Sequence, residues 1–392
     1  MTRWFRLLLC IALLLPLIGC DDDDDESPAS GALVSVEYVG EVSPQMIPGF
    51  LAFAGVELDL QLDYAVGVYR IIYTTRDVDG DTVEVSGAVF VPIGAPAAPF
   101  ACAQHGTQTL RNNVASTTPL VYGADALMMA AEGYVACSPD YIGYGSSTDP
   151  HPYLHATTSA GTVLDAIRAG RRFCEQRSIE LDGRLFLVGY SQGGYVTLAA
   201  QRAIENGASV GLSLAAVASL SGAYDLIGIV DNMLANPNDD DVVLAGLFVS
   251  SYNRIYGWGR LSEIFRSPYD SLVTGLFDGS RSFSEIRSVL APTVSGLLDS
   301  GFVGRYLRGE EPEVRGAIAE NTLLDWTPRA PLRLFHGSAD TTVPYINAVT
   351  ALNTFTQRGA RDVELITLNG RGHEDGIEAA IEPALAWFRL IK

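Results

Sequence analysis

The segment Leu185-Phe186-Leu187-Val188-Gly189-Tyr190-Ser191-Gln192-Gly193-Gly194 carries an apolar run into a helical pattern through G-x-S-x-G. Four apolar residues ahead of a glycine read as a strand covered on both faces. Gly193–Glu205 follows with helical spacing, so Ser191 falls on a strand-to-helix turn. The glycines are needed there. Ser191 must adopt a strained backbone with its Oγ exposed, and larger neighbours would clash. The amide of Gln192, at the start of the helix, would then point at a developing anion.

Working outward, short runs rich in β-branched and aromatic residues mark eight strands. They are Val68–Tyr73, Val83–Val91, Phe100–Gln104, Tyr134–Ser138, Leu185–Gly189, Ala215–Leu220, Leu332–Phe335 and Val363–Thr367. Asp79-Gly80-Asp81 makes a hairpin of the first two. Helical patterns at Thr158–Glu175, Gly193–Glu205 and Ile346–Arg358 alternate with the later strands. This is an α/β chain with a mostly parallel eight-stranded sheet, and its site belongs at the carboxyl ends of the strands. Roughly 110 residues separate the sixth strand from the seventh, too many for a loop. Helical patterns there, at Asp241–Tyr256 and Leu261–Phe277, predict a cap over the sheet. Its apolar positions Leu244, Leu247, Phe248 and Ile255 can pack the cap or line a cavity.

A serine nucleophile needs a base and a group to orient that base. Of five histidines, only His373 follows the last strand, in Asn369-Gly370-Arg371-Gly372-His373-Glu374, where a glycine-rich loop can fold it over Ser191. His105 heads His-Gly-Thr after the third strand, and His336 ends the seventh. Asp340, in the turn leaving the seventh strand, is the expected orienting acid. The runner-up is Asp225, after the sixth strand, which otherwise reads as a helix N-cap. His151 and His155 stand at i,i+4, but Pro152 argues against a helix interior and no further ligand completes a metal site. They read as packing or loop hydrogen-bonding groups, and Asp140 reads as an Asx-type turn residue. No metal and no cofactor is implied.

The order Ser191…Asp340…His373, the strand pattern and the His105-Gly106 turn resemble the α/β-hydrolase superfamily over roughly residues 60–392. Within it, Pro139-Asp140-Tyr141-Ile142-Gly143-Tyr144-Gly145, then His151-Pro152-Tyr153-Leu154-His155-Ala156, then the helix through Asp165 and Arg168 resemble the secretory lipase family, which includes the yeast-type lipase A enzymes. The resemblance implies a serine carboxylic ester hydrolase, lipase or esterase, working through an acyl-enzyme. It implies an oxyanion hole formed by the amides of Gln192 and Thr107, with the Thr107 hydroxyl as a third donor. It also implies a helical lid after the sixth strand. The same triad serves serine peptidases of aminopeptidase or prolyl-peptidase type, which stand as the alternative.

The amino terminus has a different character. Arg3 and Arg6 precede the apolar run Leu7–Ile18, which is too short to span a bilayer. Leu17-Ile18-Gly19-Cys20 resembles the lipobox of bacterial lipoproteins, implying cleavage before Cys20 and its lipidation. Asp21–Glu26 is an unbroken acidic run that would extend as a tether. The expected organisation is a signal peptide (1–19), a lipidated cysteine and tether (20–31), an α/β core (32–222 and 326–392) and a cap (223–325). The place implied is the bacterial cell envelope, with the protein anchored to the membrane and acting on a small-molecule or lipid ester. The chain carries 46 acids against 26 bases, net −20, and Lys392 is its single lysine. That charge excludes a basic nucleic-acid footprint. With 48% hydrophobic residues, intrinsic disorder is excluded too. Of the cysteines beyond Cys20, Cys102 and Cys137 lie in neighbouring strands and would pair if any do. With Cys174 they otherwise stay as buried thiols.

Overall fold

A computed structural model describes residues 30–49, 62–236 and 241–392. The signal segment, Cys20 and the acidic run lie outside the described residues.

One sheet runs through the molecule. Its strands are β1 (Leu33–Val42), β2 (Val66–Arg76), β3 (Thr82–Pro92), β4 (Ala98–Gln104), β5 (Val135–Pro139), β6 (Leu181–Tyr190), β7 (Ser213–Leu220), β8 (Leu332–Gly337) and β9 (Val363–Leu368). They lie in the order β1-β2-β3-β5-β4-β6-β7-β8-β9. β2 is antiparallel to both β1 and β3, β3 is antiparallel to β5, and every later pair is parallel. All eight strands read from the sequence are present, and β1 adds a ninth at the edge. Glu37, Tyr38, Val39 and Glu41 of β1 are exposed, so this strand lacks the apolar alternation that marks a half-buried one. The β2–β3 turn closes as expected: the Asp77 carboxylate accepts from the amides of Asp79 (3.0 Å) and Asp81 (2.9 Å).

The continuous apolar run in β6 has its physical reason in two cores. Leu185 and Leu187 face one, and Phe186 and Val188 face the other. Helices α2 (Ala156–Gln176), α3 (Gln192–Glu205) and α9 (Tyr345–Gln357) cover the first face, burying among others Ile167, Leu198 and Phe355. Helices α1 (Ala124–Ala131) and α10 (Gly376–Ile391) cover the second, with Met129, Leu385 and Phe388. The sequence reading leaves α1 and α10 unassigned. Pro383 sits inside α10, where proline ordinarily signals an end.

The long connection between β7 and β8 is helical: α4 (Leu226–Ala235), α5 (Val242–Ile255), α6 (Phe283–Val289), α7 (Ser300–Leu307) and α8 (Pro312–Glu320). The expected helix over Leu261–Phe277 is instead three short pieces, Leu261–Ile264, Tyr269–Leu272 and Val273–Gly275. Pro268, with no amide proton, interrupts the pattern. These helices are tied to the core. Arg254 of α5 donates to the Pro150 carbonyl (3.1 Å), and Arg111 donates to the Asp278 carbonyl (2.6 Å). Cys102 and Cys137 do stand opposite one another on β4 and β5, yet both, with Cys174, are buried free thiols. Burial pushes the Cys137 thiol up from its ordinary value.

Candidate active site

β6 ends at Tyr190, and Ser191 turns the chain into α3 with φ 56° and ψ −118°. A non-glycine residue in that region costs on the order of 1–3 kcal/mol and persists only where its surroundings enforce it. They do so here. A Cβ on Gly189 would come within 2.4 Å of the Gly193 carbonyl oxygen, and one on Gly193 within 2.0 Å of that of Gln104. The Ser191 amide is meanwhile committed to the Leu220 carbonyl (2.8 Å) on neighbouring β7. The turn therefore closes only with glycine on both sides of Ser191.

Three side chains from three strand ends meet there. His373 Nε2 is 2.8 Å from Ser191 Oγ, and His373 Nδ1 is 2.7 Å from Asp340 Oδ2. Asp340 Oδ1 accepts from the amides of Thr342 (3.0 Å) and Val343 (2.9 Å). Burial alone would raise this carboxyl, but the His336 imidazole close beside it, the His373 hydrogen bond and the Val343 amide outweigh it and hold the pKa down at about 2. Asp340 is thus an anion throughout the working range. It keeps the proton of His373 on Nδ1 and leaves the Nε2 lone pair facing the serine hydroxyl.

Asp225, the runner-up acid, does something else. Its carboxylate accepts from the Gly228 amide (3.0 Å) and caps α4. The His105-Gly106-Thr107 turn does lie against the serine, since a Cβ on Gly106 would be 3.7 Å from Ser191 Cβ. Thr107 Oγ1 is hydrogen-bonded to the Tyr153 hydroxyl (3.0 Å). His105 stacks on Tyr141, with ring centroids 4.2 Å apart. Asp140 is buried and reaches across the fold rather than making an Asx turn. It accepts from Ser86 Oγ (2.6 Å) and the Ser116 amide (3.1 Å). His155 turns to Thr158 (3.1 Å). Among the described residues, no group of three or more His, Cys, Asp or Glu is placed to hold a metal ion.

Three contributors carry no sequence signal. The Tyr190 hydroxyl donates to the His373 carbonyl and holds the histidine loop down. His336 Nε2 is 2.7 Å from the Val343 carbonyl and 3.4 Å from Asp340 Oδ2, so a second imidazole lies beneath the acid. Asn347 accepts from the amides of Tyr224 and Asp225 (2.8 Å each) and donates to the Gly222 carbonyl (2.7 Å), fixing the exit from β7. Tyr190 and Asn347 reach partners far away in sequence, whereas His336 reaches the turn that leaves its own strand.

An apolar cavity flanks the acid. Leu226, Val230 and Met233 of α4 and Leu244 and Phe248 of α5 line it, with Thr341–Pro344 along one wall and Tyr153 and Ala223 beside them. Counted out to the open solvent at its mouth, its empty space is about 640 Å³. Two of the four apolar positions singled out on α5, Leu244 and Phe248, line this cavity.

The chain is similar to known proteins. The family model for secretory lipases matches residues 113–260. Lipase 4 of Candida albicans is 21% identical, the alignment covering 98% of this chain and 84% of that protein. The rice cell wall degrading esterase LipA of Xanthomonas oryzae, in a ligand-bound form, superposes with a TM-score of 0.83 at 27% identity, covering 93% of this chain and all of that one. A putative hydrolase of Legionella pneumophila shares the fold, with a TM-score of 0.84 at 24% identity, covering 92% of this chain and 98% of that one. The chain is a carboxylic ester hydrolase with the α/β-hydrolase fold.

Proposed function

We propose that the chain hydrolyses carboxylic esters through a Ser191–His373–Asp340 triad and an acyl-enzyme. The carrying observation is the unbroken chain of short hydrogen bonds from Asp340 through His373 to a serine on a strained turn. His373 takes the Ser191 proton as Oγ attacks the ester carbonyl. Asp340 stabilises the imidazolium that results, and the amides of Gln192 and Thr107 hold the tetrahedral oxyanion. His373 then protonates the departing alcohol, and water repeats the cycle on the acyl-enzyme. No cofactor takes part.

The helices of residues 223–325 form a cap on a core of residues 32–222 and 326–392. The cavity between α4, α5 and the Asp340 turn receives the acyl chain, because its lining is overwhelmingly apolar. Among the described residues no helix is long and apolar enough to cross a membrane. The protein is exported, and the lipobox-like Cys20 tethers it by lipid to the cell envelope.

A substrate panel tests the reaction and the cavity together. With p-nitrophenyl esters, kcat/KM is expected to rise from acetyl to butyryl or longer by about fourfold for each methylene that the cavity buries. Leu244→Trp fills the cavity and is expected to abolish that rise while leaving acetyl hydrolysis within about twofold. Faster cleavage of peptidyl-coumarins than of every ester would overturn the ester assignment in favour of a peptidase. Asp225→Ala separates the two acids. Loss of the α4 cap is expected to cost about 1 kcal/mol in urea unfolding with ester hydrolysis unchanged. A hundredfold loss of kcat in this variant would instead make Asp225 the orienting acid.

A further inference from the structure

His151, which has no role in the reaction above, is hydrogen-bonded to the Gln192 side chain. The loop that carries it precedes α2 and runs between three tyrosines. Ring centroids of Tyr144, Tyr153 and Tyr141 lie 4.7, 6.1 and 6.2 Å from that of His151. His151 Nδ1 is 2.7 Å from the Ile142 carbonyl. A carbonyl only accepts, so Nδ1 carries the proton and Nε2 the lone pair. Nε2 is 2.6 Å from Gln192 Nε2, so the glutamine amide donates to it. Burial drives the imidazole pKa down to about 3 despite the opposing bond to Ile142, so the accepting lone pair persists at neutral pH. Gln192 itself is 2% exposed, and among the described residues this is the one hydrogen bond its side chain makes.

The other end of the chain of contacts is the cap. Ser251 Oγ of α5 donates to the His151 carbonyl (3.1 Å) and accepts from the Tyr153 amide (2.9 Å). Arg254, one turn on, holds the Pro150 carbonyl. The cap helix therefore holds the loop, the loop holds the imidazole, and the imidazole holds Gln192.

We infer that His151 is a positioning residue for the oxyanion pocket: its Nε2 anchors the Gln192 side chain and thereby aims the Gln192 backbone N–H beside Ser191. The inference rests on the proposed role of that N–H as an oxyanion donor. Gln192 is the first residue of α3, where backbone direction is least constrained by helix hydrogen bonds. An oxyanion donor works only within a few tenths of an ångström of its ideal distance. A buried anchor on the same residue supplies that constraint. Because the oxyanion exists only past the ground state, loss of aim should lower kcat and spare KM.

The test uses the full chain with p-nitrophenyl butyrate and a fluorophosphonate label for Ser191. His151→Phe keeps the ring among the tyrosines and removes both hydrogen bonds. It is expected to lower kcat about ten- to a hundredfold with KM within about threefold. His151→Gln restores an acceptor and is expected to return kcat to within about threefold of the parent. Gln192→Met alone should cost as much as His151→Phe. In the Gln192→Met background, His151→Phe should cost less than about twofold more, because the two act through one contact. A merely structural role would give equal costs in both backgrounds and no rescue by glutamine, and would overturn the inference. So would parent-like kcat in Gln192→Met, a result that stands even where His151→Phe fails to fold. Parent enzyme that is labelled at Ser191 while the variants behave in these ways leaves the triad intact and removes only the role of His151. Absence of label on the parent Ser191 overturns the triad itself and this inference with it.

Discussion

Ser191→Ala is expected to lower kcat for p-nitrophenyl butyrate by about 10⁴- to 10⁶-fold and to abolish fluorophosphonate labelling. The size follows from what one oxygen does. Without Oγ there is no acyl-enzyme, and the base has only water to activate. What remains is stabilisation of a water-derived oxyanion by the proposed donors, the amides of Gln192 and Thr107, which in related chemistry leaves about 10³–10⁴ over the uncatalysed rate. The fold should be indifferent to the change. Ser191 donates its backbone amide to Leu220, which alanine retains, and among the described residues its side chain is hydrogen-bonded only to the His373 imidazole. Alanine tolerates φ 56° no better than serine, so the strain is unchanged as well. Urea midpoints for parent and variant should therefore agree within about 0.5 kcal/mol. A variant that folds alike and still turns over at a tenth of the parent rate would remove Ser191 from the reaction.

Much of this site is legible before any coordinates, and the reason is topological. Ser191, Asp340 and His373 each follow a strand that its apolar run identifies, and parallel strands deliver their carboxyl ends to one edge. Of the residues singled out by sequence, Ser191 and Asp340 each stand within 2.8 Å of His373. Glycine spacing adds to this, because Gly189 and Gly193 are required by contacts that any Cβ would violate. The illegible part consists of groups whose partners are distant in sequence. Tyr190 to His373 spans 183 residues, and Gln192 to His151 spans 41. The i,i+4 histidines do make hydrogen bonds, as read, but their partners are not legible: His151 faces α3 across the loop, while His155 turns to Thr158 at the start of its own helix. β1 escapes notice because one exposed edge leaves no apolar alternation, and α10 because Pro383 lies inside it, where proline ordinarily signals a helix end.

Asp340→Asn should lower kcat by about 10⁴-fold, and the neighbouring donors dictate why. The amides of Thr342 and Val343 both donate to Oδ1, so the asparagine oxygen must occupy that position. Its NH₂ group then takes the place of Oδ2, facing His373 Nδ1 at 2.7 Å. Two donors cannot face each other there. His373 must give up its Nδ1 proton and carry it on Nε2, which turns the lone pair away from Ser191. His336 cannot relieve the conflict, because its Nε2 proton is already directed at the Val343 carbonyl. The variant should retain KM within about threefold, since nothing that touches substrate has moved. Stability supplies an independent reading. The Asp340 pKa is about 2 when folded against 3.8 for the free group, so its contribution is present above about pH 4 and is lost as pH falls toward 2. That contribution is about 2 kcal/mol. Asparagine does not titrate, so the stability gap between parent and variant should narrow by about that amount between pH 5 and pH 2.5. A gap that stays constant across this range would mean that Asp340 is not held as an anion by its two imidazoles. A kcat within tenfold of the parent would mean that His373 is oriented by something else.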